Sequence, residues 1–191
     1  RDIDTVDPAR AQAFLERYRG QPVAAAFREI WLAATARRED WLAFTSAWVP
    51  GLKAESLRCA DLKARQALGR ADATWTADSQ ALWRQAGSAL PAACDAPMAV
   101  LAAQGGLSPA LRWERIERAN AEGEPTVVRA AARGLPTEEQ ALAEDYAAFL
   151  EAPHERALAW PKTARSRLVA SHGLARLAKD NPAAAETQLA A

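Results

Sequence analysis

Proline and glycine cut this chain into stretches of roughly 8 to 17 residues, each with helix caps at its ends and apolar residues at helical spacing. About a quarter of the residues are alanine, which carries the lowest helix-forming cost of any residue. Repeated punctuation of that kind admits few folds. Short helices joined by connections of about 2 to 6 residues pack as antiparallel neighbours, either in a compact bundle or in a solenoid where each pair stacks on the next.

The punctuation can be followed along the chain. Asp7-Pro8 starts a first helix carrying Phe14, Leu15 and Tyr18, and Gly20 stops it. Pro22 opens a second, with Val23, Phe27, Ile30, Trp31 and Ala34 predicted as its buried stripe. A third runs from Glu39 to about Trp48, and a fourth from about Ala54 to Leu68 with Gly69 at a left-handed C-cap. Asp72 caps a helix with Trp75, Leu82 and Trp83; Cys94 to Ala103 forms the next, closed by Gly105-Gly106. Ser108-Pro109, Pro125 and Pro136-Thr137 start three more, and Pro153, Pro161 and Pro182 divide the remainder into a further three. The expected fold is all-α: an α-superhelix, a solenoid of short antiparallel helix pairs, about a dozen helices in one domain over residues 1–191. The helix-turn-helix junctions Ala67–Asp72, Arg118–Pro125 and Arg176–Pro182 form a loose echo that supports the solenoid.

Composition narrows the function classes. Half the residues are hydrophobic, and 24 basic side chains balance 24 acidic ones at a net charge of zero. No long-range field concentrates polyanions on such a surface, so nucleic acid is not an expected partner. No apolar window reaches the roughly 20 residues of a membrane span, and Arg1 to Asp7 alternates charge instead of forming a signal-peptide centre. The final stretch Glu186–Ala191 is helix-forming without a glycine cap or polar tail, and it reads as a cut.

The motifs of common chemistries are missing. No glycine-rich phosphate loop, Gly-x-Ser-x-Gly elbow or His-Glu-x-x-His occurs. His154 and His172 lack a second histidine or cysteine at ligand spacing, so no metal is expected and both read as surface or cap residues. The acidic neighbours Glu138-Glu139 and Glu144-Asp145 point to different helix faces and are expected to be solvated. Catalytic and cofactor-binding residues are therefore predicted to be absent. The seven tryptophans, Trp31, Trp41, Trp48, Trp75, Trp83, Trp113 and Trp160, read as large fillers between alanine-lined faces, with one or two as alternatives for a sugar-stacking groove. Lys162, Arg165, Arg167, Arg176 and Lys179 form a basic run, read either as a solvated helix face or as a contact for an acidic polymer. Cys59 and Cys94 are two buried thiols or one disulfide. A bridge would close a loop of about 35 residues, worth on the order of 3 to 4 kcal/mol in the chain-entropy model, and would imply an oxidising compartment.

An ordered series of segments adds to this reading. Ala36-Arg-Arg-Glu-Asp-Trp41 with Leu42-Ala-Phe44, then Leu57-Arg-Cys59-Ala60 with Ala64, then Ala81-Leu-Trp83 through Pro91-Ala-Ala-Cys94-Asp95, then Leu111-Arg-Trp113-Glu114-Arg115-Ile116 with Gly123, resembles the helical superstructure domain of periplasmic soluble lytic transglycosylases. The similarity covers roughly residues 22 to 135 well and the rest by pattern. It implies the N-terminal superhelical scaffold of an enzyme that cleaves the bond between N-acetylmuramic acid and N-acetylglucosamine in peptidoglycan, leaving 1,6-anhydro products. In that family one protonated glutamate of a lysozyme-like domain donates to the leaving oxygen and then assists attack by the sugar's own 6-hydroxyl. This sequence reads as a piece ending before that domain. Its single Glu-Ser dipeptide, Glu55-Ser56, lacks the family's apolar, glycine-rich context and reads as coincidence.

The resemblance further implies a bridge between Cys59 and Cys94, a periplasmic location and glycan strands met through the parent enzyme; within the basic run, Lys162, Arg165 and Arg167 are the candidate glycan contacts. Two other readings stand beside it: a helical-repeat adaptor that binds a partner peptide on its concave face, and a compact cytoplasmic regulator with free thiols.

Overall fold

The computed structural model describes residues 3–190. The first two residues of the charged Arg1–Asp7 run, and Ala191 at the end of the expected cut, lie outside the described residues. Eleven α-helices are found among the described residues, and no strand. They are α1 Pro8–Arg17, α2 Pro22–Arg37, α3 Trp41–Ala47, α4 Glu55–Ala67, α5 Ala73–Gln85, α6 Asp95–Ala103, α7 Pro109–Glu122, α8 Pro125–Ala132, α9 Thr137–Glu151, α10 Ala164–Asp180 and α11 Pro182–Ala190.

The caps explain where most helices begin. Asp7, Asp72 and Ser108 accept backbone N–H bonds of the first turns of α1, α5 and α7, as their positions predict. Asp40 does the same for α3, accepting from the Ala43 N–H at 3.1 Å, so that helix starts two residues later than Glu39. Glu39 lies outside it in the left-handed region, at φ 56°. Gly69 and Gly123 end α4 and α7 with φ of 71° and 74°. The helix expected after Pro153 is only a 3₁₀ turn, Glu155–Ala159. Pro161 is followed by α10, whose N-cap is Thr163, its hydroxyl accepting from the Ser166 N–H.

The chain divides into two compact units, with α5 running through the division at Ser79. The first extends to Ser79 and includes Leu90–Gln104; the second holds Gln80–Ala89 and the residues from Gly105 on. In the first unit α1, α2, α3 and α4 pack in chain order, and α6 joins α4. Trp31, Leu32, Phe44, Leu57 and Ala64 lie at its centre. An aromatic series connects Tyr18, Phe14, Phe27 and Trp31, and a second connects Trp41, Phe44 and Trp48. On α2 Trp31 and Ala34 are buried and Phe27 partly buried, as predicted, and Ala24, Leu32 and Thr35 are buried with them, while Val23 and Ile30 are about half exposed. Those two sit one residue, or about 100°, from Ala24 and Trp31, which is enough to turn them to water.

In the second unit α7 packs on α8, α8 on α9, α9 on α10 and α10 on α11. Tyr146 is buried beside Trp160 and Trp113, and Phe149 beside Trp160. Gly173 lets α10 approach closely here: a Cβ there would lie 2.7 Å from the Phe149 ring.

Candidate functional site

Cys59 on α4 and Cys94, just before α6, form a disulfide with Cα atoms 4.8 Å apart, inside the usual range. Cys59 is fully buried on α4 on the side it shares with Leu62, one turn on, while Leu57, Ala60 and Ala64 form another buried side of the same helix. Asp61 is buried on the same helix, and burial pushes its carboxyl above the ordinary carboxylate value despite Arg65 at 3.6 Å. Arg65 also bonds Asp78 at 2.6 Å.

The structure separates the predicted basic residues. Lys162 and Arg167 are exposed. Arg165 is half-buried: its Nε donates to Glu117 at 2.6 Å, and its guanidinium lies 4.1 Å from the centre of the Trp113 ring. Positions 165 and 167 are two residues apart on one helix and so face different directions. The α10 residues that do share a face are His172, Arg176 and Lys179, at i, i+4 and i+7. They line a cavity of about 470 Å³ together with Asn120, Glu124 and Leu150. The spacing was legible in the sequence, whereas Asn120 offered no signal, because only packing shows that an asparagine near a helix end is buried.

Of the acidic neighbours, Glu138 is exposed in the first turn of α9 as expected, while the other three are engaged. Glu139 accepts the Trp113 indole N–H, and Asp145 accepts the Trp160 indole N–H at 2.6 Å and the Arg156 Nε–H at 2.9 Å. Glu144 lies 3.4 Å from Arg129. Such pairing suits indole rings that need a partner for one polar atom when buried. His154 packs edge-on against Phe149 and lies 3.6 Å from Asp145, so it belongs to this cluster. Among the described residues no group of three or more His, Cys, Asp or Glu is placed to hold a metal ion.

Five of the seven tryptophans are buried: Trp31, Trp75, Trp83, Trp113 and Trp160. Trp41 and Trp48 are half-buried. Trp41 borders a second cavity, of about 390 Å³, with Leu57, Lys63 and alanines of α2 and α4. Lys63 stands 5.4 Å from the centre of that ring and is bonded to Glu39 at 2.5 Å. Ser56 also borders this cavity, but Glu55 is the first residue of α4, where a carboxylate complements the helix dipole.

No family model and no curated protein matches the sequence. Solved structures do. The 70-kDa soluble lytic transglycosylase in complex with bulgecin A, and the same-sized soluble lytic transglycosylase of Escherichia coli, each align with 97% of the chain at 22% identity and a TM-score of 0.82. An inactive mutant of the lytic transglycosylase Slt from Pseudomonas aeruginosa aligns with 98% at 24% identity and a TM-score of 0.70. The chain spans about 30% of the length of each. The likeness shows the fold: it is the all-α, helical-repeat class expected from the sequence. No helix among the described residues is long and apolar enough to cross a membrane.

Proposed function

We propose that the chain is a superhelical scaffold region of a soluble lytic transglycosylase, itself without catalytic residues, which orients peptidoglycan glycan strands for a catalytic domain carried elsewhere in the parent protein. The observation that carries this reading is the fold match over 97% of the chain at a TM-score of 0.82. Two features of the chain support it: the ordered tryptophan and cysteine segments of the sequence, and the disulfide, which suits an oxidising compartment such as the periplasm. Glu139 and Asp145 are engaged by indoles, Glu144 lies beside Arg129, and Glu138 is exposed in the first turn of α9, where a carboxylate suits the helix dipole.

The test is incubation of the chain with purified sacculi. The expected result is co-sedimentation with the sacculi and no release of anhydromuropeptides into the supernatant. Release of anhydro products by the chain alone would overturn the scaffold role. Absence of co-sedimentation would remove the glycan-orienting part of it.

A further inference from the structure

Helix α2 has little polar surface. Between Pro22 and Ala36 its only charged residues are Arg28 and Glu29. Ala24, Trp31 and Leu32 are buried on one side, while the other side carries Val23, Ala26 and Ile30, all exposed, and the partly buried Ala33. Val23 is 49% and Ile30 56% exposed. A helix that is apolar all round is normally covered all round, and this one has a side left in water. Single exposed apolar residues are ordinary on a protein surface, but these four follow one line along the helix.

The line has an order. Val23, Ala26, Ile30 and Ala33 are spaced by three, four and three residues, the a and d spacing of a coiled-coil seam. Large and small residues alternate along it: Val23 and Ile30 stand out as knobs, and Ala26 and Ala33 leave gaps beside them. The gap at Ala33 opens into the 390 Å³ cavity that Trp41 borders. Such a line complements its own reverse. With an identical helix laid antiparallel about a two-fold axis level with residue 28, Val23 of each copy meets Ala33 of the other, and Ile30 of each meets Ala26 of the other. That single register gives every knob a gap, whereas a shift by one heptad mates only half of the four positions. A parallel arrangement fails differently, setting Val23 against Val23 and Ala26 against Ala26, large on large and small on small. The line ends at Arg37, which Asp4 holds at 3.1 Å. Glu29 flanks the line, and the antiparallel register brings it near its own copy, a small like-charge cost.

We propose that this side of α2 is the interface of a homodimer, in which two copies of the chain pair antiparallel along Val23, Ala26, Ile30 and Ala33. A seam of about three helical turns buries less than the roughly 800 Å² per partner of a standard stable interface, so the dimer is weak, half-formed at about 0.1 to 1 mM chain. The inference concerns the first unit alone and does not rest on the scaffold reading above.

The experiment joins sedimentation velocity of the whole chain, from about 20 μM to about 2 mM, to cysteine cross-linking. The parent chain should pass from monomer toward dimer over that range. Ile30→Lys places a charge in the seam at an exposed position, so it should keep its melting temperature within about 2 °C and weaken association at least about tenfold. Leu158→Lys changes a leucine of the second unit that is 62% exposed, and it should associate like the parent. Mild oxidation of a mixture of Val23→Cys and Ala33→Cys chains should give a disulfide-linked dimer, the native Cys59 and Cys94 being buried and already bridged. Either variant alone should stay uncross-linked, because like positions lie about 15 Å apart along the seam, beyond the span of a disulfide. A parent chain that is monomeric to the top of the range overturns the dimer, as does association that survives Ile30→Lys or is lost in Leu158→Lys. A mixture that cross-links no more than either variant alone overturns the antiparallel register.

Discussion

The two units of the chain reach stability by different means. The first is closed by a covalent bridge around an aromatic and aliphatic centre, with Trp31, Leu32 and Phe44 almost fully buried. The second has no disulfide and instead buries polar side chains that tie helices together. Arg112 donates to the carbonyls of Leu107 and Ala131, Arg115 to those of Trp83 and Ser88, and the Tyr146 hydroxyl bonds the Ser166 hydroxyl at 2.7 Å. Burial pushes the Arg112 guanidinium below its ordinary value and the Tyr146 hydroxyl above its own, which marks both as groups that give up water for internal bonds. A staple acts mainly on the unfolded chain, whereas buried polar contacts act on the folded one by making each helix position depend on its neighbour.

The largest expected effect follows from the staple. Replacing Cys59 and Cys94 by serine removes a bridge that spans 35 residues, which costs on the order of 3 to 4 kcal/mol in the chain-entropy model. Hydrogen exchange by mass spectrometry should show faster exchange in α4 and α6, with α8 and α9 unchanged. Equal loss of protection in both units would mean that they unfold as one, and the contrast drawn above would fail.

Next in size is Gly173→Ala, a test of close packing in the second unit. Helix propensity alone favours alanine by up to about 1 kcal/mol. The added carbon, however, meets a buried Phe149 ring that is backed by His154 and Trp160, and overpacking costs about 1 to 3 kcal/mol. Packing wins, so the variant should melt lower, with the loss of exchange protection confined to α9 and α10.

These contrasts also mark how far the sequence could be read. Asp7, Asp72, Ser108, Gly69 and Gly123 act locally, through bonds or φ angles within a turn, and they placed most helix boundaries correctly. Errors arose where tertiary packing decides. On α2 the expected stripe holds at Trp31 and Ala34 and fails at Val23 and Ile30, which are as apolar as the residues beside them that pack inward. Glu139 and Asp145 look solvated in the sequence because their indole partners, Trp113 and Trp160, are 26 and 15 residues away. Charge alone groups Arg165 with Lys162 and Arg167, although Glu117, which engages it, lies on α7. Asn120 carries no local mark of its burial, since nothing in the sequence around it distinguishes a buried asparagine from a solvated one.

A smaller effect concerns acid. Asp61 in the first unit has its carboxyl raised above the ordinary value of 3.8 by burial, so its ionised form is disfavoured by folding. That penalty is complete above the folded-state value and fades as pH falls toward 3.8. Asp61→Asn mimics the protonated acid and leaves Arg65 its bond to Asp78, so it should raise the melting temperature at pH 7 and have no effect near pH 3.8. Glu151 in the second unit is shifted the other way. Hydrogen bonds from Arg129 at 2.6 and 2.7 Å hold its carboxyl below the ordinary 4.5, so its contribution is present above that pH and is lost as pH falls through the folded value. Glu151→Gln should therefore flatten the acid side of the melting curve. Thermal melts between pH 3 and 8 measure both, and slopes of the same sign for the two variants would contradict the contrast.

The smallest effect on stability separates residues that build the second unit from those merely carried on it. Arg165 stacks on Trp113 and bonds Glu117, so Arg165→Gln removes a half-buried cation–π contact and an ion pair, together worth about 1 kcal/mol. Arg167 and Lys162 are exposed, and Arg167→Gln with Lys162→Gln should alter stability by no more than about 0.5 kcal/mol. Whether they touch glycan, as the sequence expectation has it, is then testable without interference from folding: on that expectation the double variant should co-sediment with sacculi less than the parent chain, and more so at low salt, where exposed charges act most strongly. Arg165→Gln should show the opposite division, a lower melting temperature with co-sedimentation retained. A double variant that binds sacculi as well as the parent would leave the glycan contacts to residues other than this basic run, and Arg165 to its role as a bond between α7 and α10.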